Sequence, residues 1–288
     1  MKKSSIVMFA VAQMIAVSAF SQSFVGDSWS QVKADKKGKI VVTYTKAPKF
    51  TEKVNGKYSG VCYGILNDFT AYLKQRYGVV LTVEYKDLSD PEDFDLLLKT
   101  VTNSKGGVIG LGDITITNER KKTLKFSAPY FNTIAILATN SNGKNLSDMA
   151  NIAKDFVGMK AVVQKGTTHE TRIRKVKKDY FSSLVIETTT GFDEANKKVM
   201  DNSNYFTYID ISTYFNVLDK KLPLKRQAAG DQKGESFGFI MPKTSDWDGV
   251  MNEFFLANGG YTTSMQYRKV LSDNLGKQVL NLIDSMNK

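Results

Sequence analysis

The chain has 288 residues, 42% of them hydrophobic, 11% aromatic and 24% charged, which is enough for a sizeable core and excludes a disordered or low-complexity protein. Lys and Arg number 40 against 29 Asp and Glu, a net charge of +11, yet the basic residues are scattered and no glycine-rich phosphate loop occurs, which argues against nucleic-acid and nucleotide partners. One Cys and one His exclude an internal disulfide and a Cys/His metal cluster and leave Ser-His-Asp chemistry poorly supported, so neither a cofactor nor a metal is expected.

Lys2 and Lys3, the apolar run 6–17 and Ala19-Phe20-Ser21 read as a signal peptide over residues 1–21, cleaved before Gln22. That run is shorter than the ~20 apolar residues that span a bilayer, and no later run is apolar enough. A secreted, periplasmic chain without stable membrane insertion is expected, with a charge of +9 (11 minus 2) once the two lysines leave. Residues 22–38 read as a loose leading segment. Ile40, Val41, Val42 and Tyr44 predict a strand over 39–45, and Asn55-Gly56 a turn. Cys62, among Val61, Tyr63 and Ile65, reads as a small buried hydrophobe. Ile65, Leu66, Phe69 and Leu73 share a face of a helix over 63–77 that Gly78 stops.

A strand follows over 79–85. Asp90-Pro91 predicts the start of a helix, with proline at its first position, that carries Phe94, Leu97 and Leu98. Gly106-Gly107 opens a strand over 108–117. After residue 140 the pattern resumes: strand 160–163, helix 168–178, strand 184–187, helix 193–200, strand 205–209 and helix 212–218. The basic run from Arg172 to Lys178 is interleaved with Ile173 and Val176 and reads as a solvated helix face. Strand-like runs at 134–139 and 237–241 bracket this second unit, and a helical tail runs to Lys288. Strands alternating with helices predict an α/β protein with mainly parallel sheets covered by helices. The expected division is 22–136 plus 240–288 for one lobe and 137–239 for the other, joined by two hinge strands.

The segment from Gly112 to Phe131, with Asp113-Ile114-Thr115-Ile116-Thr117, then Arg120, then Phe126-Ser127-Ala128-Pro129-Tyr130, closely resembles the signature of the family-3 extracellular solute-binding proteins, the polar amino-acid-binding components of ABC importers. Ionotropic glutamate-receptor ligand domains are distant relatives. The segments 55–60, 165–170 and 236–243 resemble further family motifs in the same order, so the resemblance spans about residues 38–285. It implies the type II periplasmic binding protein fold, a monomer, a small amino acid-like ligand and an ABC transporter permease as partner.

A free amino acid carries two charges that are costly to bury unpaired. Arginine suits the carboxylate, because its planar fork donates two parallel hydrogen bonds and stays ionised. Alone, Glu119-Arg120-Lys121-Lys122 reads as a surface charge run; the resemblance makes Arg120 the carboxylate ligand, with Thr115 beside it. Thr167 and Thr168 start a helix, where N–H groups suit an anion and where a plain N-cap is the simpler reading. Asp210, at a strand end, and Asp113 are the candidate acceptors for the ammonium; Asp210 also suits the N-cap of the next helix. The chain departs from its relatives at Tyr44, where many have an acid, at Ala47, where an aromatic is common, and at Gln164, where Lys or Asp is frequent. Tyr44, Phe50, Gln164 and His169 are candidates to shape the pocket, although a solvent-facing place in the first helical turn suits His169 better. The resemblance leaves two other readings open: a cyclohexadienyl or arogenate dehydratase-like enzyme with Asp113 or Asp210 as general acid, and a ligand-sensing module. Lytic transglycosylases carry a similar N-terminal domain, but their catalytic domain is not expected here.

Overall fold

A computed structural model of the chain describes residues 22–277 and 279–281; the signal-peptide reading of residues 1–21 lies outside the described residues. Helix α1 (Trp29–Asp35) precedes strand β1 (Lys37–Tyr44), and a hairpin of β2 (Glu52–Val54) and β3 (Lys57–Ser59) leads into α2 (Val61–Tyr77). There follow β4 (Val80–Tyr85), α3 (Phe94–Asn103), β5 (Val108–Leu111) and β6 (Leu124–Phe126). The long strand β7 (Phe131–Asn140) then opens a second unit of α4 (Ile152–Asp155), β8 (Lys160–Gln164), α5 (Thr168–Asp179), β9 (Ile186–Thr189), α6 (Phe192–Asp201), β10 (Tyr205–Ile209), α7 (Ile211–Lys220), β11 (Leu224–Arg226) and β12 (Gln232–Phe237). Strand β13 (Ile240–Pro242) and helices α8 (Trp247–Leu256) and α9 (Met265–Leu275) complete the described chain.

Two sheets organise two lobes. The first has the order β4-β1-β5-β13-β6, and the second β11-β7-β10-β8-β9, with β12 also on β7. Strand β1 pairs parallel with β4 and β5, and β8 pairs parallel with β9 and β10. Sheets of this kind are covered on both faces. In the first, Ile40, Val42, Ile109 and Leu111 face α2 and α8, while Leu97, Val101, Leu124 and Ile240 form a separate cluster on α3. Helix α2 buries Ile65, Leu66, Phe69 and Leu73 as their spacing requires, and Gly78, at φ 67°, closes it by donating to the Leu73 and Lys74 carbonyls. Cys62 is fully buried in the same core, and burial pushes its thiol up to about 12.

The strands that join the lobes run antiparallel, with Phe131 opposite Phe237. Beyond Phe237, Gly238 N donates to the Ile114 carbonyl and Phe239 N to Ser127 Oγ, so the return strand is tied to the first lobe at once. Phe50 lies beneath this crossing, edge-on to Phe131 at 5.1 Å and to Phe237 at 5.9 Å, and is fully buried.

Three expectations need correction. Residues 22–38 are pinned rather than loose: Ser28 caps α1, Asp246 accepts from the Trp29 and Ser30 N–H groups, and Trp247 Nε1 donates to the Asp27 carbonyl. The third helix starts at its N-cap Asp93, not at Asp90-Pro91, because the Pro91 carbonyl is taken by Lys46 N and Thr45 Oγ1 and cannot begin a helical ladder. The strand expected over 108–117 stops at Leu111, and the chain turns at Gly112, where a Cβ would lie 2.7 Å from Thr45 Cγ2.

Candidate functional site

The C-terminal ends of β1, β5, β8 and β10 meet at the seam between the lobes, the place where open α/β sheets set their ligands. Lys46 and Ala47 follow β1, and Asp113 follows β5. From the second lobe come Asp210, at the end of β10, and Phe192 and Asp193, at the start of α6. These residues line one cavity, together with Pro48, Glu92 and Thr213. Its volume is about 20 Å³, room for roughly one water, so the cleft is closed on its own side chains.

The closure is polar. Lys46 Nζ bridges Glu92 at 2.9 Å in its own lobe and Asp193 at 2.6 Å in the other. Ser212 Oγ donates across the seam to Asp113 Oδ2 at 2.6 Å, and Gln164 Nε2 to the Glu92 carbonyl at 3.0 Å. Gly166 takes φ 78°, where a side chain would be strained, and its Cα faces the Asp95 carboxylate across the seam, with Oδ1 2.5 Å from where a Cβ would lie.

Arg120 begins a helical turn (Arg120–Lys122) below the cleft. Its Nη1 donates to the Thr115 carbonyl at 2.9 Å, and its guanidinium carbon lies 4.6 Å from the centre of the Phe94 ring. Among the described residues no carboxylate lies within 4.0 Å of it, so the rest of its fork has no ionic partner. Burial lowers its pKa to about 10, opposed by Asp210 and Asp113, and the group is charged at neutral pH.

The second lobe holds a buried polar chain. Arg172 Nη1 donates to His169 Nδ1 at 2.8 Å, and His169 Nε2 lies 3.0 Å from Asp210 Oδ2. A guanidinium has no acceptor, so Nδ1 accepts, and the ring proton on Nε2 is donated to the Asp210 carboxylate. Arg172 also pairs with Glu235 on β12 and donates to Thr168 Oγ1 at 3.0 Å. Burial acts to raise the Asp210 pKa, but His169, Arg172 and Arg120 outweigh it and hold the group below the usual carboxylate value. Asp113 goes the other way: burial, then repulsion from Asp210, push it up to about 7 against the Ser212 hydrogen bond.

Of the sequence candidates, Asp113 and Asp210 line the cavity; Arg120, Thr115, Thr168 and Gln164 do not line it, although Gln164 crosses the seam to the Glu92 carbonyl and Arg120 is near enough to Asp210 and Asp113 to feel their charges. Thr167 caps α5, its Oγ1 accepting from Glu170 N at 3.3 Å and donating to the Gln164 carbonyl at 2.8 Å. Tyr44 and Phe50 do not line the cavity: Tyr44 packs on Tyr58 and Tyr63 over α2, and Phe50 belongs to the crossing. Asp210 stands at the N-cap position of α7 without a side-chain cap bond, because its carboxylate is turned to His169. His169 is not solvent-facing but 2% exposed, and Arg172 does not belong to a solvated face but is 6% exposed. The signal was present, since His169, Arg172, Ile173 and Val176 recur at helical spacing and form the buried stripe of α5. Lys46, Glu92, Asp193 and Ser212 carried no motif, and only the fold brings them to the seam. Among the described residues no group of His, Cys, Asp and Glu could hold a metal ion, and no helix is long and apolar enough to cross a membrane.

The family model of the bacterial extracellular solute-binding proteins, family 3, matches residues 39–207. Several solved structures share the fold. An ancestral arginine-binding protein bound to glutamine superposes with a TM-score of 0.65 at 23% identity, over 83% of this chain and 98% of that one. An ABC uptake transporter substrate binding protein from Streptococcus pneumoniae with bound histidine gives a TM-score of 0.65 at 18% identity, over 88% and 98%. The GluR0 ligand-binding core from Nostoc punctiforme in complex with L-glutamate gives 0.63 at 16% identity, over 83% and 100%. Among curated proteins, the membrane-bound lytic murein transglycosylase F of Pseudomonas fluorescens (strain Pf0-1) is 28% identical over 112 residues, which cover 39% of this chain and 22% of that protein.

Proposed function

The chain belongs to the bacterial extracellular solute-binding proteins of family 3, and on that premise we propose that it binds a small amino acid-like ligand between its lobes and delivers it to an ABC transporter permease from the periplasm. The lobes are 22–136 plus 240–288 and 137–239, and they open and close about β7 and β12. The observation that carries this reading is the Arg120 guanidinium, half-buried against the Phe94 ring with one hydrogen bond to the Thr115 carbonyl and, among the described residues, no ionic partner. It receives the ligand carboxylate, Asp210 receives the ammonium, and contacts from both lobes select the closed form. The N–H groups that open α5 add to the carboxylate's field. Calorimetry tests the assignment once a screen of the twenty amino acids by thermal shift has found the ligand. Replacing Arg120 by Ala should weaken binding by about 2–5 kcal/mol, as expected for a buried charge pair; unchanged affinity overturns the role.

One observation favours a second reading. A carboxyl near 7, as at Asp113, suits a general acid that protonates the departing ring hydroxyl of an arogenate- or prephenate-like substrate, so that it leaves as water while the ring carboxylate leaves as carbon dioxide and its bonding electrons complete the aromatic ring. Incubation with prephenate and arogenate tests it, since an aromatic product absorbs in the ultraviolet. The transglycosylase activity named for the Pseudomonas protein is not carried over, because the match covers 22% of its length.

A further inference from the structure

The fold does not set the charge of the ligand: solved structures that share it hold glutamine, arginine, histidine and glutamate. The lining of this cleft does bear on it. Around the cavity stand four acids, Glu92, Asp113, Asp193 and Asp210, and one cation, Lys46. This local excess of negative charge sits in a chain whose net charge is +11.

The positive groups nearby do not cancel it. Arg172 pairs with Glu235, and its other hydrogen bonds go to His169 Nδ1 and Thr168 Oγ1. Arg120 is one charge, and it is the group left for the ligand carboxylate. An α-ammonium at Asp210 then leaves Asp113 and one of the Glu92–Asp193 pair without a cation. The rim already shows which chemistry suits it, for the Lys46 ammonium, an amine on an aliphatic stem, bridges Glu92 and Asp193. At the same seam Gln164, 2% exposed, keeps its Oε1 buried without a donor while its Nε2 holds the Glu92 and Thr190 carbonyls. Gln164 Oε1 is thus an unfilled acceptor at the seam.

Resting on the proposed function, we infer that the cleft selects an amino acid with a cationic side chain, an ammonium or guanidinium held by Asp113 and the Glu92–Asp193 rim, and that Asp113 is the residue that sets this preference. A neutral side chain gives Asp113 no counter-charge and leaves it holding its proton beside Asp210, so only a cation gains the ion pair. An acidic side chain adds a third negative charge to the same space, which is a strong basis for rejection.

The test is a thermal-shift panel of L-arginine, L-lysine, L-glutamine, L-glutamate and putrescine on the purified chain, followed by calorimetry on wild type and Asp113→Asn. L-Arginine or L-lysine should raise the melting midpoint by about 5 °C or more at hundredfold saturation, and L-glutamate should not. Putrescine, which lacks the carboxylate, should bind at least about tenfold more weakly than L-lysine, because Arg120 goes unused. Asp113→Asn should shrink the affinity ratio of L-arginine to L-glutamine by about tenfold. A larger shift with L-glutamate or L-glutamine than with L-arginine and L-lysine overturns the inference and leaves the proposed function standing, and so does an unchanged ratio in the variant. A panel in which no compound shifts the midpoint overturns the inference, and the proposed function falls with it only if the screen of all twenty amino acids is also blank.

Discussion

Replacing Asp113 by Asn tests the electrostatics of the empty cleft without any ligand. In the closed fold burial and Asp210 raise this carboxyl from 3.8 to about 7. One pKa unit corresponds to about 1.4 kcal/mol, so the ionised form carries a penalty of about 4 kcal/mol in the fold. The sign follows from linkage. Below pH 3.8 both folded and unfolded chains hold the proton, and nothing is lost. Between 3.8 and 7 the unfolded chain releases it while the fold retains it, so stability falls as pH rises; above 7 the full penalty is present. Asparagine has no such titration. The stability of the variant relative to wild type should therefore grow by about 3 kcal/mol between pH 5 and pH 8, a difference in which any constant packing effect cancels. Urea unfolding followed by circular dichroism at several pH values measures it. Asp210 does not confuse the window: its folded pKa is lowered, so its contribution is lost only as pH falls below the normal carboxylate range. A gap that stays constant from pH 5 to pH 8, or that narrows, refutes the reasoning.

Other perturbations separate the parts of the molecule. Glu235→Gln removes the acid that pairs with the buried Arg172 and should cost about 2–3 kcal/mol in urea unfolding, with part of the loss persisting at high salt because Arg172 is 6% exposed while Glu235 is 28% exposed. Phe50→Ala empties the aromatic clamp under the crossing strands, and a loss of about 3–5 kcal/mol should appear as a drop of roughly 10 °C in melting midpoint. Lys46→Ala removes only partly exposed ion pairs, so stability should change by less than about 1 kcal/mol, yet small-angle scattering should record a larger radius of gyration as the Glu92–Asp193 rim comes apart.

Much of the fold was legible because its helices and strands obey simple periods. The α2 stripe of Ile65, Leu66, Phe69 and Leu73 and the paired strands 160–164 and 205–209 stand where their spacing puts them. The errors lie where one local rule met a tertiary competitor. Asp90-Pro91 is a sound helix start in isolation, but Asp90 Oδ1 accepts from Glu92 N in a turn, and Thr45 and Lys46, just past β1, claim the Pro91 carbonyl. For α1 the signal was present and unread: Ser28 and Gln31 stand three apart, as in a capping box, ahead of a single buried apolar residue, Val32. At the seam, motif residues such as Arg120 and Asp210 could be named in advance. The cross-lobe partners could not, since Ser212 meets Asp113 and Lys46 meets Asp193 only after two lobes distant in sequence have closed. His169 shows the limit of composition: a lone histidine near a helix start usually faces water, and here its stripe with Ile173 turns it inward.

The two tryptophans sit together at the far end of the first lobe, Trp29 on α1 and Trp247 on α8, 5.3 Å apart with the Trp247 indole N–H bound to Asp27. Neither borders the cleft. Intrinsic indole emission is therefore a gauge of whether the leading helix stays docked, and it should be nearly blind to the lobes swinging together. A reporter of ligand uptake has to be introduced on purpose, for instance a dye at Asp219, whose carboxylate meets Lys49 across the outer lip of the mouth.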